Sequence, residues 1–258
     1  KRSGTAWTKL TNPTTLPTGT GEDVAFSSDD TYLAVAHATS PYVTIYKRSG
    51  DTFTKLTNPT TLPTGGGKGV AFSPSVGFLA VGHATSPYVS IYSRSGDTFT
   101  KVTNPGTLPP GTVNGLGFSS CNTYLATGHN TSPYTSIYSI SGSTFTKISD
   151  PSTLPASLGY GAAFSTDDSL LVIPIHTGAG TQAYSQSGGT FTSITAPSLT
   201  AGNPIYGATF SASVVGPYYS SGTYTSSVVD SGQNPLYSPL DYTATVPANT
   251  TLVLNVRA

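Results

Sequence analysis

The sequence predicts an all-β chain. Its expected fold is a β-propeller of about five four-stranded blades on a 46-residue repeat, with a C-terminal β extension. Three observations carry this. The Ile-Tyr pair ending at Tyr46, Tyr92 and Tyr138, and the Ala-Tyr ending at Tyr184, recur every 46 residues. Other markers keep the same step: Trp7, Phe53, Phe99, Phe145 and Phe191; and Phe26, Phe72, Phe118, Phe164 and Phe210, a series expected to be buried between neighbouring blades. A fixed period of this size is the signature of a repeat architecture. Within one unit, short runs rich in β-branched and aromatic residues alternate with Gly, Pro, Ser and Asn, and no apolar spacing suits a helix.

One unit, residues 47–92, reads KRSGDTFTKLTNPTTLPTGGGKGVAFSPSVGFLAVGHATSPYVSIY. The strands expected around it are 70–73, 78–82, 88–93 and 98–103. The second is apolar on both faces, with Leu79 and Val81 one way and Phe78 and Ala80 the other, so it must be covered on both. The fourth sets Lys101 near Phe99 and reads as an outer, half-wet strand. A four-stranded unit buried on both faces cannot stand alone. Stacking such units around an axis covers them, which is the propeller solution.

The order of GVAFSPSVGFLAVGHATSPYVSIYSRSGDTFTKV, residues 69–102, resembles the WD-repeat propeller family over residues 1 to about 213. Ile91-Tyr92 stands where that family has Trp-Asp, and no Asp occupies the turn after the second strand. The resemblance therefore implies the fold and none of the family's hydrogen-bonded tetrad. More narrowly, LAVGHATSPYVSIYSRSGDTFTKV resembles the propeller-type repeats of phage virion and tail proteins.

Residues 1–138 are three close copies, and 139–184 drift, with PIHTGAGTQAY in place of AHATSPYVTIY. Pro174 falls inside an expected second strand and predicts a weakened ladder or a bulge. The expected organisation is residues 1–213 as propeller repeats and 214–258 as a C-terminal β segment. That segment supplies either the last blade's strands or the start of a β-sandwich module. In the first case residues 214–230 give the second and third strands of a fifth blade, residues 5–10 its fourth, and the ring closes. The chain lacks Met and opens on Lys1-Arg2-Ser3-Gly4, the same place in the repeat as residues 47–50, so it reads as a piece of a longer protein.

Charged residues make up only 9% of the chain, against roughly 25% in ordinary soluble domains. The surface must be built from Thr, Ser, Asn, Gly and Tyr, a composition shared with extracellular fibres and virion proteins. Net charge is zero, but residues 1–147 carry +4 and 148–258 carry −4, the mark of repeat drift. No Lys/Arg cluster interleaved with aromatics points to nucleic acid. No apolar run approaches the roughly 18 residues of a membrane span. The single Cys121 rules out an internal disulfide framework.

His37, His83 and His129 are repeat equivalents; His176 is one position out of register. They do not read as a zinc site. Ligand nitrogens must converge to about 2.0–2.1 Å of the metal, whereas neighbouring blades set equivalent positions about 10 Å apart. Asp29-Asp30 and Asp167-Asp168 read as turn residues that satisfy backbone N–H groups. Glu22-Asp23 is a carboxylate pair unique to its repeat, with Lys68-Gly69, Asn114-Gly115 and Tyr160-Gly161 as equivalents, and no nucleophile accompanies it. The run Gly65-Gly66-Gly67-Lys68-Gly69 lacks the spacing of a phosphate loop and leads into a strand.

What remains is the loop TNPTTLPTG and the turn HATSPY, which leave the blades at the same end and carry Leu16, Leu62, Leu108 and Leu154. Loops on a rigid scaffold are where binding resides. The candidate binding residues are His37, His83, His129, Tyr42, Tyr88 and Tyr134. No catalytic residue, metal or cofactor is expected. The expected function is a non-enzymatic structural or receptor-binding component of an extracellular assembly, in the first place a phage virion fibre, spike or decoration protein. The alternatives are a secreted or cell-surface carbohydrate-binding propeller and, behind it, a propeller enzyme. Expected partners are other virion or surface-assembly subunits and a host-surface glycan or protein, outside the cell or on the virion.

Overall fold

The computed structural model describes residues 1–3, 5–177, 180–195 and 206–210. All belong to one compact unit, Lys1–Ser213. The expected C-terminal segment 214–258, and with it the expected pairing of residues 5–10 with strands beyond residue 213, lies outside the described residues.

A short hairpin opens the chain, β1 (Arg2–Ser3) with β2 (Ala6–Trp7). Blade 1 follows with β3 (Gly21–Phe26), β4 (Tyr32–His37), β5 (Val43–Ser49) and β6 (Thr52–Lys55). Blade 2 is β7 (Gly67–Phe72), β8 (Phe78–His83), β9 (Val89–Ser95) and β10 (Thr98–Lys101). Blade 3 is β11 (Val113–Phe118), β12 (Tyr124–His129), β13 (Thr135–Ser141) and β14 (Thr144–Lys147). Blade 4 is β15 (Ala163–Phe164), β16 (Leu170–Pro174), β17 (Thr181–Ser187) and β18 (Thr190–Ile194). Each blade is an antiparallel sheet in sequence order. The architecture is a β-propeller, with four complete blades among the described residues.

The burial pattern follows the sequence logic. Leu79, Ala80 and Val81 of β8 are all fully buried, as a strand apolar on both faces requires. In β10 the exposed Thr98 and Thr100 alternate with buried Phe99, the half-wet outer strand. The third strand starts later than expected because Tyr88 takes φ 64° at the end of a turn closed by its N–H on the Thr85 carbonyl. In blade 4, Pro174 ends β16 opposite Thr181, and β15 keeps only two paired residues.

Inner strands of successive blades nearly touch, and glycine makes this possible. A Cβ on Gly69 would lie 2.7 Å from the Gly115 Cα, and one on Gly115 would run into the Tyr160 carbonyl oxygen. Both obstacles are backbone and cannot swing aside. Gly115→Ala is therefore expected to lower stability by about 1–3 kcal/mol, the usual scale of overpacking. Urea unfolding measures it; an unchanged midpoint would mean the blades do not pack this closely.

Interblade aromatics form the second contact. Phe99, Phe145 and Phe191 of the fourth strands are buried, each edge-on to a residue of the preceding blade: Tyr32 at 5.8 Å, Phe78 at 5.3 Å and Tyr124 at 5.4 Å between ring centres. The inner-strand phenylalanines are less uniform. Phe72 and Phe164 are buried, Phe118 and Phe210 are half-buried, and Phe26 is 50% exposed. The uniform burial expected of this series fails at Phe26 because no described blade packs on that face of blade 1; Val24 beside it is exposed for the same reason. The hairpin β1–β2 stands on that side of blade 1, in the place that outer strands take in the preceding blade elsewhere. Lys1 reaches Asp51 at 2.7 Å just as Lys47 reaches Asp97 at 2.8 Å one repeat later.

Candidate functional site

One irregularity recurs in the inner strands. In blade 1 the register steps from Gly21↔His37 to Asp23↔Ala36, so Glu22 is an extra residue in the ladder. The same bulge sets out Lys68, between Gly67↔His83 and Gly69↔Gly82, and Asn114, between Val113↔His129 and Gly115↔Gly128. In blade 4 the isolated pair Gly159↔Ile175 stands just before Tyr160. A bulge re-aims the side chain it carries, and such features gather beside functional sites. Here Glu22, Lys68, Asn114, Tyr160 and their next equivalent, Tyr206, line a single cavity of 230 Å³ at the propeller axis.

Contacts run around this mouth. The Lys68 ammonium donates to a Glu22 carboxylate oxygen at 2.8 Å. Asn114 Nδ2 donates to the Gly159 carbonyl at 2.9 Å. The Tyr160 ring lies 4.7 Å from the Tyr206 ring and 5.8 Å from the His176 imidazole, centre to centre. Desolvation, helped by the neighbouring Tyr206, raises the Tyr160 phenol pKa. Tyr206 is 69% exposed. Asp23 also lines the cavity, and its carboxylate bridges to blade 2 by accepting the Val70 N–H at 2.9 Å. Its own blade supplies the Val24 N–H at 2.8 Å. Burial raises its pKa against the opposing pull of these two bonds.

The structure places the residues singled out in the sequence elsewhere. His37, His83 and His129 close the second strands with no exposed surface, so a ligand at the surface does not reach them. Each Nε2 meets the hydroxyl at the second position of the next strand: Thr44 at 2.9 Å, Ser90 at 3.1 Å and Ser136 at 3.0 Å. His129 Nδ1 lies 2.7 Å from the Thr131 carbonyl. A carbonyl only accepts, so Nδ1 carries the proton and Nε2 accepts from Ser136. Desolvation holds all three imidazoles below their ordinary pKa, His83 at about 4. They are blade-internal pins.

Tyr42, Tyr88 and Tyr134 are half-buried, each with φ near +65° after a cis Ser-Pro bond. They repeat unchanged from blade to blade and none lines the axial cavity. The loop TNPTTLPTG of residues 11–19 is tied down where the Tyr46 hydroxyl donates to the Thr15 carbonyl at 2.8 Å, and its blade 4 equivalent, SDPSTLPAS, where Tyr184 donates to Thr153 at 3.0 Å. The turn aspartates do take backbone N–H groups. Asp29 accepts from Thr31 within its own turn, while Asp168 accepts from Ser120 and Cys121 of the preceding blade. Among the described residues no three His, Cys, Asp or Glu side chains gather as a metal cluster would require.

Bladed sheets around an axial mouth of mixed chemistry define a propeller with one asymmetric site. No family model matches the chain, and no curated protein does. Solved structures do match. One from Bacteroides fragilis, assigned as a 6-phosphogluconolactonase, superposes with a TM-score of 0.57 at 12% identity, over 67% of this chain and 53% of that one. Its counterpart from Bacteroides uniformis gives 0.56 at 14% over the same shares. The hydrazine synthase of Kuenenia stuttgartiensis gives 0.51 at 14%, over 64% and 45%. The chain thus spans about half the length of each. At such identities the likeness shows the fold alone, although these neighbours include enzymes.

Proposed function

We propose that this chain is a non-enzymatic binding propeller of an extracellular assembly, in the first place a receptor-binding fibre, spike or decoration component of a phage virion. One observation carries the binding part. At the one position that each repeat sets on this mouth, the first three repeats, near-copies elsewhere, carry Glu22, Lys68 and Asn114, and the next two carry Tyr160 and Tyr206. A pure scaffold has no need of that diversity. An enzyme needs an uncommitted acid, base or nucleophile, whereas Glu22 is paired with Lys68, Asp23 accepts two backbone N–H groups, the three equivalent histidines are enclosed, and His176 does not line the cavity. The extracellular assembly is supported by the low charge of the chain and by repeat wording resembling that of virion proteins.

A secreted or cell-surface carbohydrate-binding propeller is the second reading. The adjacent Tyr160 and Tyr206 rings favour it, since aromatic faces flanked by polar groups suit sugars. Mass spectrometry of purified particles tests the first reading. The chain is expected as a stoichiometric component, and its absence from particles while it is secreted free would favour the second. Incubation with 6-phosphogluconolactone is expected to give no hydrolysis above background; turnover lost in Glu22→Gln would overturn the non-enzymatic reading.

A further inference from the structure

We infer that the axial mouth is a subsite for one neutral pyranose ring, stacked on Tyr206 and Tyr160 and hydrogen-bonded by Glu22, Lys68 and Asn114. This rests on the binding reading above and names the ligand class of that same site. Size comes first. A cavity of 230 Å³ falls below the roughly 300–1,000 Å³ of sites for drug-sized ligands, so it holds a single ring with the rest of a glycan outside. Shape agrees, because the neighbouring inner-strand positions Gly115, Gly161 and Gly207 also line the cavity and leave bare backbone there.

Chemistry narrows the class. The two tyrosine rings are the aromatic surface of the mouth, set 48° apart, and Tyr206 presents most of its surface to water. An exposed, amphipathic ring of this kind is a ready contact for a partner with an apolar face and polar rim. A sugar's C–H face is such a partner. The Glu22–Lys68 pair places an acceptor beside a donor, the pattern that meets two adjacent hydroxyls. Asn114 commits one amide N–H to Gly159 and keeps its oxygen and second N–H for a ligand. Lys68 is neutralised by Glu22, so an anionic sugar or a phosphate would find no uncompensated cation among these five side chains.

The test uses the full 258-residue chain on an array of neutral and acidic glycans, followed by NMR titration with the methyl glycoside of the bound terminal sugar. Neutral glycans are expected to bind. Tyr206→Ala should weaken binding about tenfold or more, while Trp7→Ala, an exposed aromatic outside the mouth, should stay within about twofold. Because Tyr206 is exposed, its loss should leave the melting temperature unchanged, and Asn114→Ala gives a second, independent arm. The proposal is overturned if no neutral glycan binds, if acidic glycans are preferred, or if binding survives both Tyr206→Ala and Asn114→Ala. A chain found in particles that binds no neutral glycan would leave the assembly role standing and remove this subsite alone.

Discussion

Phe99→Ala is expected to destabilise the protein by about 3–5 kcal/mol, the scale of a deleted buried aromatic with incomplete collapse of the cavity. Phe26→Ala is expected to cost under about 1 kcal/mol, because an exposed ring has little burial to lose. The contrast is the point. Phe99 is 3% exposed and sits against Tyr32 of the preceding blade at 5.8 Å and Phe72 of its own at 6.2 Å. Phe26 belongs to the same inner-strand series as the buried Phe72, yet it is 50% exposed, with Phe53 at 6.1 Å as its aromatic neighbour. Chemical denaturation of both variants reads the difference directly. Equal losses would mean that the open face of blade 1 is covered in solution, and a small loss at Phe99 would mean that the blades pair differently.

The blade was legible because period and strand pattern agree. A 46-residue step with a two-faced second strand leaves few architectures, and β8 is buried on both faces as that argument requires. The exposure of Phe26 was not legible, because a repeat marks which surface wants a neighbour and not whether a described blade supplies it. The axial mouth was half legible. Glu22 and its equivalents stood out as unlike in otherwise like repeats, but the single-residue bulge that turns them to the axis leaves no mark in composition or hydrophobic alternation. The histidines misled for a related reason. They were polar, repeated and at the ligand-bearing end of the blade, which reads as a surface ring. A signal for their true place was present seven residues on, in Thr44, Ser90 and Ser136. In blade 4 both members change together, to the buried Ile175 and to Gln182. A pair lost jointly is a pair that bonds.

The neighbours of known structure leave the chemistry of the mouth open, and the mouth itself is informative. In a propeller the axis is where every blade contributes one position, so a change at that one position per repeat makes one site of mixed chemistry, here an acid, a base, an amide and two phenols. Glu22, Lys68, Asn114, Tyr160 and Tyr206 follow this logic. The outer strands, which face solvent singly, instead keep Thr-Phe-Thr-Lys in three successive blades.

Acid should unfold this protein early, and the enclosed histidines are the reason. Burial holds His83 at about pKa 4 in the folded state, with Lys101 nearby adding to the same direction and the Thr85 carbonyl opposing it. The unfolded side chain titrates near 6.5. Between those values the unfolded chain binds more protons than the folded one, so stability is full above about pH 6.5 and falls as pH drops toward 4. The difference amounts to about 3 kcal/mol for His83 alone by pH 4. His37 and His129 shift in the same direction, the latter between Lys147 and Asp150, and add to the loss. Asp23 works in the opposite sense, because burial raises its carboxyl and protonation then favours the fold. Carboxylates held below their ordinary range, such as Asp167 at about 2, retain their contribution until pH falls below about 4, so their loss comes later. Urea midpoints should therefore hold from pH 7.5 to about 6.5 and decline from there to pH 4.5, and His83→Gln should flatten that decline whatever it does to stability at neutral pH. An unchanged slope in the His37→Gln, His83→Gln, His129→Gln triple variant would mean that the imidazoles are not held neutral inside the blades.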